Sequence, residues 1–389
     1  MEIEPPNTPM DWLSRRYKVN NLMLNPIDAL IPISAALILI PNNPIYGNAL
    51  ATSWTVLQLI FSPKKMRWAM WPLATVLLIS IRSWWLNEVP NLASSADSLL
   101  IMASMVAASG VNQNRWKFIL ISPLFALPFL LLHIGPKPWT PNPMAGVNPG
   151  GYLLGLLVVF AVAWCSKSGK SLIEIIASGL LVILAFILAW QTGSRAALVS
   201  SVLALTIIFL RDRSKHHTLW RDLSLLTILG VATLGVKQFL SPSSSGIPGL
   251  NISSDFGRIL IGKCYFHLPF TGNNRLLFGI GFERPKEFCQ QMINGGVADH
   301  SHNLFLQIWA NSGLLGILGV SLLIFLLLQA WSKAESQLDV FILRAGQAAL
   351  FYTIFQGIFD VSLLHLPILQ VFTGITLSIP FSTMTSEYS

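Results

Sequence analysis

The sequence predicts an all-α integral membrane protein of about twelve transmembrane helices, with one long extracytoplasmic loop before the third-last span. Three observations carry that expectation. Of the 389 residues, 53% are hydrophobic and only 11% charged, against roughly 25% charged in soluble domains. Those charges gather into short clusters separated by long apolar stretches. The stretches repeatedly approach the roughly 20 apolar residues that a helix needs to cross a bilayer. A water-soluble fold is excluded on these grounds.

Along the chain, nine spans are expected before the long loop, over residues 27–40, 46–61, 68–85, 98–111, 118–134, 152–165, 172–190, 196–210 and 223–240. Three follow it, over 304–330, 341–359 and 363–381, the first of them without a single charge. Residues 1–240 thus hold helices one to nine, 241–302 the loop and 303–389 helices ten to twelve. The first twenty residues lack the basic, apolar and small-residue order of a cleaved signal, so insertion by the spans themselves is expected.

Orientation follows from Lys and Arg. One set of loops carries Arg15, Arg16, Lys18, Lys64, Lys65, Arg67, Arg115, Lys117, Lys167, Lys170, Arg211, Arg213, Lys215, Arg221, Lys333 and Arg344. The opposite set carries nine, five of them in the long loop. Positive residues in short loops mark the cytoplasmic side, which puts both termini in the cytoplasm. The formal charge of +8 therefore reads as topology, with the lipid bilayer as partner and no nucleic acid.

Two segments then lie outside. Residues 135–151, rich in Pro, Gly and Asn, read as an irregular loop. Residues 241–299 exceed the usual 2 to 8 residues of a helix connection and so do more than connect. Within them, residues 258–268 have the pattern of a short amphipathic helix lying against the membrane. Phe278-Gly279-Ile280-Gly281-Phe282 places two glycines where the backbone can turn tightly or approach another group. It is not a phosphate-binding fingerprint, which needs a third glycine and a flanking strand and helix.

Polar groups near lipid are the candidates for chemistry. Fifteen uncharged residues separate Arg195 from Arg211, a helix of about 22 Å against a hydrocarbon core of about 30 Å. Arg195 is therefore drawn to the outer rim, either to act there or to snorkel to headgroups. Arg258 begins the amphipathic segment. Asp299-His300-Ser301-His302-Asn303 directly precedes the clearest span, where Ser301 or Asn303 can cap the helix and its N-terminus adds positive partial charge. A rigidly held imidazole facing outward suits a general base. A His-x-His metal site and a purely structural His stand beside that reading; with no Asp-x-Asp and no Cys pair nearby, no metal is expected. Cys264 and Cys289 share the outer loop, where an oxidising compartment allows a disulfide, while Cys165 lies near the cytoplasmic side. His133, His365, Asp360 and Arg82 sit at outer helix ends and read as packing residues.

These residues carry a resemblance. His302-Asn303-Leu304-Phe305-Leu306-Gln307, continuing through Asn311-Ser312-Gly313-Leu314-Leu315-Gly316, resembles the HN-x-x-L … G-L-x-G motif of the O-antigen ligase and polymerase superfamily. Gly193-Ser194-Arg195-Ala196 is similar to that family's SRG/A at the start of a span. Gly257-Arg258 followed by Phe278-Gly279-Ile280-Gly281 resembles its R … G-x-G outer-loop pattern. The motifs occur in the family's order within about residues 150–330, and the topology fits over the whole chain.

The resemblance implies a GT-C-like helical fold and an inverting, metal-independent glycosyl transfer that needs no cofactor. The donor would be a glycan on a polyprenyl diphosphate, such as undecaprenyl diphosphate, at the periplasmic face of the bacterial inner membrane. The acceptor would be a hydroxyl of a glycolipid or glycan. Arg195 and Arg258 would hold the diphosphate and His302 would activate the acceptor. Two guanidinium forks suit a diphosphate leaving group that gains charge as the glycosidic bond breaks. The doubled His300 departs from the pattern, and Arg82, Lys237, Lys263 and Arg275 are further outer cations that would share the anion. An O-antigen ligase acting on a lipid A core is the first reading; a polymerase extending lipid-linked repeats and a protein O-glycosylating enzyme share the same donor motifs. A polytopic transporter is the reading from another class, but transporters place their notable polar positions near the midplane, whereas these cluster at the outer face.

Overall fold

The computed structural model describes residues 17–19, 22–39, 44–61, 92–131, 147–166, 171–213, 252–281, 284–292, 300–361, 364 and 366–382. The expected spans 68–85 and 223–240 lie outside these residues, as do Arg82, Lys237, His133 and His365.

The described residues are overwhelmingly helical. In chain order the helices are α1 (Leu30–Leu39), α2 (Pro44–Phe61), α3 (Leu92–Ser109), α4 (Gln113–Ile121), α5 (Leu127–Leu131), α6 (Val147–Cys165) and α7 (Leu172–Thr192). Then come α8 (Arg195–Arg213), α9 (Ile252–His267), α10 (Asn273–Phe278), α11 (Arg284–Met292), α12 (Leu304–Ala334), α13 (Val340–Phe359) and α14 (Pro367–Ser378). Three of them are long and apolar enough to cross a membrane, over Asn148–Cys165, Leu172–Thr192 and Leu304–Ala334. Shorter apolar helices cover Pro26–Leu37, Leu100–Ser109, Arg195–Ile208 and Pro367–Ser382. The all-α expectation needs one amendment: β1 (Tyr17–Val19) and β2 (Leu22–Leu24) pair antiparallel, Tyr17 opposite Leu24.

Three departures from the expected spans have local causes. The span expected over 118–134 begins earlier, at Gln113, where Asn112 caps α4 by accepting from the Arg115 N–H at 3.0 Å. It then breaks into a 3-10 turn, Ser122–Ala126, before α5. Pro123 and Pro128 remove two backbone donors there, which interrupts the α-helical ladder. The irregular loop expected over 135–151 ends sooner, because α6 already starts at Val147. Pro149 is tolerated there, since the first turn of a helix has no intrahelical partner for its N–H. The last span starts at Pro367, at the first position of α14 and after Leu366 in extended geometry.

α6 forms the centre. Its membrane-length stretch is 78% buried, against 22% for α7, so α6 is an interior helix while α7 presents Ile173, Ile176, Leu180, Ile183 and Ile187 outward. An apolar outer face of that kind is what a bilayer covers. Small residues let neighbours come close to α6: a Cβ on Gly151 would lie 2.4 Å from Ser194 Cβ, and one on Gly155 2.4 Å from the Tyr352 hydroxyl. Tyr152 meets Thr353 at 3.1 Å and Thr373 at 2.9 Å through its hydroxyl.

Pairwise contacts fix directions. At one end of the bundle Arg344 Nη1 donates to the Ser166 carbonyl at 2.8 Å, and Lys117 pairs with Asp339 at 2.8 Å. Nearby in the chain, Arg115 forms a buried two-pronged pair with Asp28, both contacts 2.7 Å, and also donates to Gln58 at 2.9 Å. Ser166 follows α6 and Arg344 opens α13, whereas Tyr152 and Thr353 also touch, so these two helices run antiparallel. α12 and α13 are antiparallel as well, with Trp331 against Gly346 and Leu304 against Gly357. The start of α6, the start of α12 and the end of α13 therefore share the opposite end, and α8 joins them there through the Ser194 Oγ to Asn148 Oδ1 contact of 3.4 Å.

Candidate functional site

At that end the chain enters α12 through a locked turn. Asn303 is the N-cap: its Oδ1 accepts from the Leu306 N–H at 2.9 Å, and its Nδ2 donates to the Ile358 carbonyl at 2.8 Å. The cap thus satisfies an orphan amide of α12 and ties the helix start to the end of α13. Ser301 completes the turn, its N–H donating to Gln307 Oε1 at 3.0 Å and its Oγ accepting from the Asn303 N–H at 3.2 Å. Between them His302 has φ 53°, a left-handed backbone that no other non-glycine among the described residues adopts. Such a conformation is uncommon for a side-chain-bearing residue and persists only where the surroundings over-determine it.

The turn brings His302 beside two other titratable groups. The His300 and His302 rings lie 4.2 Å apart between centroids, tilted by 59°. Asp360, which ends α13 and is 2% exposed, places Oδ1 3.7 Å from His302 Nδ1 and 3.9 Å from His300 Nε2. One ligand atom from each of the three lies within 4.8 Å of the others, a group able to hold a metal ion. No metal is expected from the sequence, where neither an Asp-x-Asp nor a Cys pair accompanies the His-x-His; the fold supplies a carboxylate from the next helix. Asp360, read as a helix-end packing residue, is the site residue that sequence reasoning missed. No local signal marks it, since its relation to the histidines exists only once α12 and α13 pair.

The two glycine motifs meet at a break in α12. Gly313 has φ 62° and ψ −155°, so the helix splits into two segments there. The carbonyls of Ala310 and Asn311, freed from the helical ladder, accept from the Ile280 N–H at 2.9 Å and the Gly281 N–H at 3.0 Å. The Gly-x-Gly of the outer segment thus docks on the broken helix through its main chain. The expectation of a single uninterrupted span after residue 304 is corrected accordingly: Leu314 to Ala334 continues as helix beyond the break.

The outer segment packs on the first part of α12. Ile261, Cys264 and Tyr265 on one face of α9, with Leu268 just after it, form a second hydrophobic cluster with Ala310. Gly262 faces Leu306, and Trp309 Nε1 donates to the Phe266 carbonyl at 2.9 Å. Both contacts rise together in sequence, so α9 runs parallel to the start of α12. A disulfide joins Cys264 to Cys289, binding α9 to α11; Cys165 is free.

The expected cations divide. Arg195 opens α8 and is exposed, after Gly193 ends α7 in left-handed geometry and Ser194 accepts from the Ala197 N–H at 3.4 Å. Arg258 and Lys263 are exposed on α9. Arg275 is half-buried and engaged, donating to Thr271 Oγ1 at 2.8 Å and lying 5.4 Å over the Phe288 ring. A family model described as O-antigen ligase matches residues 179–321, a stretch that contains Arg195, Arg258, His300 and His302. No curated protein matches the chain.

Proposed function

We propose that this chain, a member of the O-antigen ligase and polymerase superfamily, is an inverting glycosyltransferase. It moves a glycan from a polyprenyl diphosphate to an acceptor hydroxyl at the extracytoplasmic face of the bacterial inner membrane. The observation that carries the reading is His302, held left-handed with its Nδ1 turned to the buried Asp360.

A carboxylate at Nδ1 favours the tautomer with its proton there and leaves Nε2 free to accept. In the reaction, Nε2 takes the proton of the acceptor hydroxyl as its oxygen attacks the anomeric carbon. The bond from that carbon to the diphosphate oxygen breaks, and the electron pair leaves with the diphosphate. One displacement inverts the anomeric centre. The gathering charge on the leaving group is met by Arg195 and Arg258, whose guanidinium forks do the work that a divalent ion does elsewhere. No metal or cofactor enters any step. Asp360 acts through His302 and is a positioning residue.

Register supports the partnership. Since Gly262 faces Leu306 in parallel helices, the part of α9 that precedes Gly262 and carries Arg258 runs toward the end of α12 where Asn303 caps the helix and His302 precedes it. Arg195 shares the end of the bundle where α12 begins. Arg115, Lys117, Lys333 and Arg344 belong to the other end, which supports cytoplasmic termini by the positive-inside rule. Lys263 and Arg275 are accessory at most, Arg275 being held within the outer segment.

An O-antigen ligase with a lipid A core acceptor is the first reading. Glycan analysis of a strain lacking the protein tests it: accumulated long lipid-linked polymer supports a ligase. Single unpolymerised repeat units would instead mark a polymerase, and loss of glycan from protein a protein O-glycosylating enzyme. Unchanged glycans in every pool would overturn the transferase reading.

A further inference from the structure

A base needs one histidine and one carboxylate, yet two histidines converge on Asp360. His300 Nε2 is 3.9 Å and His302 Nδ1 3.7 Å from the same Oδ1, and the three ligand atoms lie within 4.8 Å of one another. A tetrahedral ion with bonds of about 2.1 Å spaces its ligand atoms about 3.4 Å apart, so seating all three on one ion closes the two His–Asp separations by about half an ångström or less and the widest separation in the group by at most about 1.4 Å. Two imidazoles and one carboxylate, with a fourth position for water, suit Zn²⁺ or Co²⁺ and not the oxygen-seeking Mg²⁺ or Ca²⁺. The ligands are placed in advance. Asp360 is fixed at the end of α13, where its N–H donates to the Gln356 carbonyl at 2.8 Å, and His302 is fixed by the Asn303 cap. Both histidine side chains are 23% exposed, which leaves an ion an approach.

We infer that His300, His302 and Asp360 form a reversible site for a Zn²⁺-class divalent cation, and that the bound ion switches glycan transfer off. A metal on Nδ1 confines the remaining ring proton of a neutral imidazole to Nε2. That nitrogen is the atom that must be empty to receive the acceptor's proton. The metal-bound and catalytic states therefore exclude each other. Binding stands by itself; the switch rests on the reading of His302 as base.

The test uses the full chain in detergent, purified with a tag that contains no histidine, stripped with chelator and titrated first with Co²⁺ and then with Zn²⁺. One Co²⁺ per chain is expected, with the visible bands of four- or five-coordinate cobalt, displaced by Zn²⁺. Asp360→Asn and His300→Gln each weaken binding at least tenfold. Absence of the bands, or an affinity unmoved by both substitutions, overturns the site. In transfer assays Zn²⁺ stops the wild-type protein and chelator restores it, while in His300→Gln the half-inhibiting Zn²⁺ concentration rises at least tenfold. Full-rate transfer by a protein shown to be Zn²⁺-saturated overturns the switch, and with it His302 Nε2 as the base, while the binding site survives.

Discussion

Gly279 and Gly313 interlock: a Cβ on Gly313 would stand 2.6 Å from the Gly279 backbone nitrogen, and one on Gly279 2.3 Å from the Asn311 carbonyl carbon and oxygen. Both have backbone angles that are essentially reserved for glycine, φ 71° with ψ −166° and φ 62° with ψ −155°. The outer segment and the broken helix consequently share one interface made of main chain.

Gly279→Ala is expected to cost about 3 kcal/mol, from backbone strain and forced overlap together. Gly179→Ala serves as the contrast, because a Cβ there meets nothing within 4 Å, and the change should stabilise the α7 helix by about 0.5 to 1 kcal/mol. Thermal unfolding in detergent reads both; equal melting temperatures for the two variants would refute the interlock.

His302→Ala should lower transfer by about 10² to 10⁴ with the protein still inserted and folded. His300→Ala should cost far less, within about tenfold. Transfer measured with purified donor and acceptor distinguishes them, and equal losses would mean that the base is wrongly assigned or that the pair works as a unit. Asp360→Asn keeps the shape of the side chain but not its charge, so kcat should fall with little change in KM for the acceptor. Chelator without added metal should leave wild-type transfer undiminished.

Arg195→Ala and Arg258→Ala should each reduce transfer by about 10² to 10³. Arg275→Ala should instead reduce stability by about 0.5 to 1 kcal/mol through the lost Phe288 contact. If Arg275→Ala proved the most damaging of the three to catalysis at unchanged melting temperature, the diphosphate assignment would fall.

Asp28→Ala strands Arg115 in the interior, where the two side chains are 0% and 5% exposed. Breaking a buried pair from one side costs about 3 to 5 kcal/mol. The double variant Asp28→Ala, Arg115→Met should recover part of that loss; a double variant no better than the single would show that the pair's charge balance is not what matters.

Much of this was legible from the chain. Apolar runs located the long helices near their places but not the short α10 and α11. Of the two candidate caps, Ser301 and Asn303, the structure uses Asn303. The helix expected over residues 258–268 falls on α9, which begins earlier, at Ile252. What failed was non-local. Asp360 joins the histidines only through the pairing of α12 with α13. The break at Gly313 hides in an apolar, charge-free run without proline, because its cause lies in Gly279 of another segment. The disulfide is not readable from the sequence, because spacing alone does not decide whether Cys264 and Cys289 face each other. Pro123 and Pro128 did carry a visible breaking signal, and hydropathy overrode it.

The break in α12 has a mechanical meaning. With the carbonyls of Ala310 and Asn311 given to Ile280 and Gly281, the leading segment of the helix cannot straighten without tearing the outer segment away. The two are geared together, with His302 on the shared shaft. A load on α9 or α10 is therefore passed to the leading segment of α12 and the turn before it; on the reading of His302 as the base, an acceptor docking there would couple its own seating to the aim of the imidazole.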